Sequence, residues 1–250
     1  MSLLQANELH VTFGGVHAVQ GASIEVGERE IVGIIGPNGA GKSSLLGAIG
    51  GQLPVHQGSI VFDGHPITKL RPDQRARRGL VRSFQTTSEF ANMTVYENLA
   101  VAAAGFDGGD FFRSLLQGVR YKEAQRAHDE RIARTLEAFD MVEMANAHGS
   151  ELSGGQRRLV EMMRCLMQNP KLILLDEPMV GVAPHLVQRI GDAILQIRDG
   201  GVAIVIIEHA LEVVERLSDR VVVMADGEVI ANGDFQTVIN SGSVQSAYLG

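Results

Sequence analysis

Ile31-Val32-Gly33-Ile34-Ile35-Gly36-Pro37-Asn38-Gly39-Ala40-Gly41-Lys42-Ser43-Ser44 joins a continuous apolar run to a glycine-rich turn and the start of a helical run, Ser44–Ile49. The apolar run reads as a buried strand. Gly36–Ser43 satisfies G-x-x-x-x-G-K-[ST] between a strand and a helix, the context that gives this spacing its meaning. Glycines let successive N–H groups turn inward as an anion nest, and the helix N-terminus adds partial positive charge. Lys42 would reach the β- and γ-phosphates of a nucleotide, and Ser43 would ligate Mg2+.

Outward from this segment, Leu172–Leu175 and Val202–Ile207 are further apolar strands, separated by a helical pattern at Val187–Ile197 and followed by another at Leu211–Leu217. Such an alternation calls for an α/β fold with a mainly parallel sheet covered on both faces. Leu9, Val11 and Phe13 alternate with His10 and Thr12, and with Ser23–Val26 and Gly58–Asp63 they predict an antiparallel β lobe. Asp226-Gly227 predicts a hairpin between Arg220–Met224 and Glu228–Ala231. Leu70–Arg82 predicts a helix and then the strand Gly79–Phe84, with Arg71, Arg75, Arg77, Arg78 and Arg82 on a solvated face. Thr94–His148 is helical: Ala124, Ile132, Leu136, Phe139 and Val142 fall near helical spacing, Asp129 or Glu130 pairs with Arg134, and Gly105–Gly109 breaks the run. This predicts one domain, with core and β lobe at 1–85 and 170–250 and a helical lobe at about 86–169.

The 250 residues carry a net charge of −7 and a 45% hydrophobic fraction, which excludes general disorder and disfavours a nucleic-acid partner. The start, MSLLQANELHVTF, lacks an export leader, no apolar run approaches the ~20 residues of a bilayer span, and the single Cys165 suits a reducing compartment. Glycine is in excess, 29 of 250 residues or about 12%, against a usual ~7%.

Two more elements carry chemistry. Leu172–Leu175 runs into Asp176-Glu177-Pro178. Two acids at the end of a buried strand are costly without a cation, so Asp176 is the metal residue and Glu177 the general base. Ser153-Gly154-Gly155-Gln156, before the helical pattern Arg157–Met167, reads either as a second anion site or as a Ser-capped helix start. Met162, Met163, Leu166 and Met167 read as core, and Cys165 as a small helix residue.

In order, Gly36–Ser43, Gln85, Leu152–Gln156, Asp176-Glu177 and His209 resemble the five motifs of the ATP-binding subunit of ABC transporters, over essentially the whole chain. The resemblance implies that two such subunits, identical or related, pair head to tail. Each ATP would lie between Gly36, Pro37, Asn38, Gly39, Ala40, Gly41, Lys42, Ser43 and Ser44 of one and Ser153–Gln156 of the other. It assigns Gln85 to the metal and γ-phosphate, alongside Ser43 and Asp176, and His209 to the γ-phosphate and to positioning Glu177. Phe13 stands where the family stacks an aromatic on adenine, with an edge-strand core residue as the alternative.

The narrower stretches Leu80–Gln85, Met93–Leu99, Phe106–Val119, Ile207–His209 and Ala247–Gly250 resemble the branched-chain amino-acid or amide/urea importers. Ala183 departs from the family's usual Asp. The resemblance implies a peripheral protein on the cytoplasmic face of the cell membrane, working with integral-membrane permease subunits and, indirectly, a periplasmic binding protein. The rival readings are a soluble regulatory ABC ATPase, a lipopolysaccharide-export ATPase and a nucleotide-binding partner with little catalysis.

Overall fold

The computed structural model describes residues 2–83, 91–104 and 118–249. They fall into two compact units, one from Met1–Arg82, Lys171–Val180 and Ile194–Gly250, the other from Ser83–Pro170 and Gly181–Ala193.

The first unit contains two sheets. β1 (Ser2–Phe13) and β2 (Val16–Gly27) form a long antiparallel hairpin, turned by Gly14 and Gly15 at positive φ, and β4 (Gln57–Phe62) and β5 (His65–Pro66) complete the order β2-β1-β4-β5. The second sheet runs β10-β9-β3-β8-β7-β6, from β3 (Ile31–Ile35), β6 (Leu80–Arg82), β7 (Leu172–Asp176), β8 (Ala203–Ile207), β9 (Arg220–Ala225) and β10 (Glu228–Gly233). β6, β7, β8, β3 and β9 are parallel; β10 returns antiparallel at the edge. Every residue of β3, β7 and β8 is buried, as continuous apolar runs require of strands covered on both faces. Alternate residues divide the load: Val32 and Ile34 join the core shared with the β1–β2 hairpin, while Ile35 packs with Val221 and Val223 on the other face.

α1 (Lys42–Gly50) contacts strands of both sheets and buries Leu45, Leu46 and Ile49 completely, each worth about 2 kcal/mol of apolar burial. The remaining helices of this unit are α2 (Pro72–Ala76), α7 (Leu211–Leu217), α8 (Phe235–Ile239) and α9 (Gly242–Leu249), with part of α6 (Pro184–Asp199), which belongs to this unit from Ile194 onward.

The second unit is helical, with α3 (Val95–Ala104), α4 (Gly118–Ala138) and α5 (Gly154–Leu166). Thr94 and Glu97 form a reciprocal capping box at the start of α3. Val95, Leu99, Ile132, Leu136, Phe139 and Met163 are buried. Cys165 is buried too, and desolvation pushes its thiol up to about 12. No helix among the described residues is long and apolar enough to cross a membrane.

Four sequence expectations are corrected. Val142 is 53% exposed: Asp140 takes a left-handed conformation (φ 52°), which ends the helical period, and Met141 is buried instead. Arg71, Arg77 and Arg78 are exposed, but Arg75 is 2% exposed and Arg82 is only partly accessible, so the arginine run is not one solvated face. Third, β6 ends at Arg82, while Phe84 lies outside the described residues. Fourth, the acids ending β7 have partners within the protein, as described below. The glycine break at 105–109 also lies outside the described residues.

Candidate functional site

The loop after β3 depends on glycine at two points. At Gly36 (φ 149°) a Cβ would stand 2.1 Å from the Met224 carbonyl oxygen, and at Gly41 (φ 94°) 2.2 Å from that of Ala18. Neighbouring backbone thus presses the loop into its curve from two sides. The turn at Asp226-Gly227, with both residues at positive φ, backs it: Gly227 N–H donates to Ala40 O at 3.1 Å, and Gln20 N–H to Gly227 O at 2.8 Å. Gly41 is the N-cap of α1, with no side-chain cap and no acid in the first turn, so the helix N-terminus keeps its N–H donors for an anion.

Lys42 is 6% exposed and curls over its own loop, donating from Nζ to Gly36 O (2.8 Å) and Pro37 O (2.9 Å). Burial lowers its pKa, while the charges of Glu177 and Asp176 oppose that shift. In front of the loop an open cleft of about 480 Å³ is lined by Asn38–Ser44, Val16, His17 and Glu177 among others. Phe13 does not line the cleft; its cross-strand partner Val16 does. At 41% exposed, Phe13 is no core residue and keeps a ring face for solvent or a ligand.

Ser43 Oγ donates to Asp176 Oδ1 at 3.2 Å. A hydroxyl and a carboxylate converging at a buried strand end are hard oxygen donors that suit Mg2+, whose remaining positions would be filled by phosphate oxygens and water. Asp176 is not unpaired: Arg82 Nη2 donates to its Oδ2 at 2.7 Å. Glu177 follows in a left-handed conformation (φ 50°), unusual for a residue with a side chain and costing roughly 1 kcal/mol. Its Oε1 lies 2.8 Å from His209 Nε2, a direct hydrogen bond between carboxylate and imidazole.

Sequence reasoning missed Glu208. This carboxylate is 3% exposed and accepts from Met179 N–H (2.8 Å) and His209 N–H (3.3 Å), joining the chain after Glu177 to that before the imidazole. Burial raises its pKa above the usual range, partly offset by those hydrogen bonds. Its signal was the same as that of Asp176-Glu177: a charge appended to an apolar strand, here Ala203–Ile207.

Gln85 lies outside the described residues. Ser153–Gln156 belong to the second unit. Ser153 caps α5, its Oγ accepting from Gln156 N–H at 3.3 Å while Gln156 Oε1 accepts from Ser153 N–H at 2.9 Å. The helix start is thus capped by Ser153, which is compatible with either reading of the motif. At Gly155 a Cβ would meet Leu186 Cδ1 at 2.3 Å. Ala183 is exposed.

A phosphate cradle at the N-terminus of a buried helix, an Asp-Glu pair at the end of a parallel strand and a histidine on the Glu define a P-loop ATPase. The sequence profile described as "ABC transporter" matches residues 19–180, and the chain belongs to that family. It is 37% identical, over 99% of its length and 98% of the relative's, to the high-affinity branched-chain amino acid transport ATP-binding protein LivG of Salmonella typhimurium. It is 34% identical to the corresponding protein BraF of Pseudomonas aeruginosa, with the same coverage. Among solved structures, a nucleotide-free ATP-binding cassette from an ABC transporter superposes with a TM-score of 0.86 at 35% identity over all of both chains. The ADP conformation of another such cassette gives 0.85 at 34%, covering 100% of this chain and 99% of the other.

Proposed function

We propose that this chain is the ATP-hydrolysing subunit of an importer for branched-chain amino acids or related small polar solutes such as amides or urea. The observation that carries the reading is the joining, in one unit, of the glycine-pressed loop with Lys42, the Ser43–Asp176 contact and the Glu177–His209 pair. Relatives named for branched-chain amino acid transport, aligned over nearly full length, support the substrate class.

In this reading the N–H groups of Gly36–Ser44 hold the phosphates, and Lys42 leaves its carbonyl partners for the β- and γ-phosphates. Ser43, Asp176 and Gln85 would hold Mg2+, which when bound would supply charge neutralisation to the phosphates. Glu177 takes the proton of the attacking water, and His209 holds Glu177 in place and touches the γ-phosphate. Ser153, Gly154, Gly155 and Gln156 face the nucleotide of a partner subunit, identical or related, in a head-to-tail dimer. Ala183 gives that interface no carboxylate. The chain works as a single ATPase domain, peripheral on the cytoplasmic face of the membrane, its closure moving integral-membrane permeases that a periplasmic binding protein feeds.

Phe13 stacks on adenine. Phe13→Ala is expected to weaken ATP binding about tenfold, the worth of one stacked base, and to leave pyrophosphate binding unchanged. Equal losses for both ligands in a calorimetric titration would reject the stacking role. The transport reading predicts that affinity purification from solubilised membranes brings apolar permease subunits along. Recovery with nucleic acid or ribosomes, without such subunits, contradicts it and favours a soluble regulatory ATPase.

A further inference from the structure

Asp176 divides its two carboxylate oxygens between unlike partners. Oδ1 takes the Ser43 hydroxyl at 3.2 Å, the side on which a divalent cation would be shared, and Oδ2 takes Arg82 Nη2 at 2.7 Å. The pair is largely dry, with side-chain exposures of 5% for Asp176 and 17% for Arg82. Arg82 is held for this contact: its Nη1 donates to Gln52 Oε1 at 3.3 Å, and a Cβ on Gly47 of α1 would come within 3.2 Å of that same nitrogen. The cation of the loop itself, Lys42, spends its hydrogen bonds on Gly36 and Pro37. Arg82 is therefore the cation in direct contact with Asp176.

We propose that Arg82 is a built-in counter-cation of Asp176, which keeps the carboxylate aimed at Ser43 and, by its positive charge, makes divalent-metal binding contingent on nucleotide. The proposal rests on the reading of Ser43 and Asp176 as metal holders. A buried carboxylate without a counter-charge draws in any available cation. With a guanidinium on Oδ2, a metal ion arriving alone meets a carboxylate already neutralised and a like charge behind it. The phosphates of a bound nucleotide bring the extra negative charge that tips the balance. Arg82 is thus a positioning residue that acts through Asp176 and disfavours metal capture by the nucleotide-free protein.

The test is Mn2+ binding to nucleotide-free protein, followed by electron paramagnetic resonance. Arg82→Gln keeps a donor for Asp176 and removes the charge; it is expected to bind Mn2+ about tenfold more tightly than the unaltered chain. Arg82→Lys, which restores the charge, should stay within about twofold of the unaltered chain, and the Mn2+-induced rise in melting temperature should be larger for Arg82→Gln than for either. Mn2+ binding by Arg82→Gln that is equal or weaker overturns the proposal, since Arg82 would then only orient the carboxylate. Tighter binding that survives Asp176→Asn in the same background places the metal elsewhere and overturns the metal reading itself.

Discussion

Arg75→Leu is expected to lower the melting temperature by about 10 °C, because one buried side chain is lost from four acceptors at once. Arg75 is 2% exposed and serves four backbone carbonyls. Nη1 donates to Ala48 O (2.7 Å) and Ile49 O (2.6 Å), Nη2 to Thr68 O (2.8 Å) and Nε to Leu70 O (2.9 Å). Ala48 and Ile49 lie in the last turn of α1, where carbonyls lack intrahelical donors. A cation there also meets the negative end of the helix dipole. Burial pulls the guanidinium pKa down to about 10, which leaves it charged at neutral pH. Leucine would fill much of the space and take the donors from all four carbonyls; Ala48 O keeps the Gly51 N–H at 3.2 Å, and losing the donors of the other three, at about 1 kcal/mol or more each, costs about 3–4 kcal/mol in all. A chain of this size loses about 2–4 °C per kcal/mol. Arg75→Lys, with charge but no planar fork, should fall between. Thermal unfolding checks this, and a shift of less than about 2 °C for Arg75→Leu would show that the carbonyls find other donors.

The order of elements in the first unit was legible because its signals are local. Ile31–Ile35 matches β3 residue for residue, Leu211–Leu217 matches α7, and Asp226-Gly227 is the turn of the β9–β10 hairpin. The loop Gly36–Ser43 was legible for the same reason: its chemistry lies in the backbone of consecutive residues. What escaped depends on contacts between distant positions. Arg75 and Arg82 sit in a charged stretch that pattern alone assigns to solvent, yet one is taken up by backbone carbonyls and the other by a carboxylate 94 residues away. Carbonyl acceptors leave no trace in residue type, so a buried guanidinium on them cannot be told from a surface one by composition. Glu208 was visible as a charge at a strand end but not as the acceptor for Met179 and His209 backbone. Val142 was misplaced because nothing in the sequence near Asp140 announces a left-handed residue, glycine being the usual sign.

In the proposed mechanism Glu177 is the base that turns a nucleotide-binding fold into an ATPase. Its left-handed backbone and the His209 Nε2 contact at 2.8 Å fix one carboxylate oxygen and leave the other for water. Glutamine has the same shape, can still accept from His209, and cannot take a proton at neutral pH. Phosphate release from Mg-ATP by purified Glu177→Gln is therefore the direct test. The expected rate is about a thousandfold below that of the unaltered chain, with ATP affinity within about twofold and an ATP-bound dimer accumulating. Phosphate release at the unaltered rate would contradict this role for Glu177 and move the base to another residue.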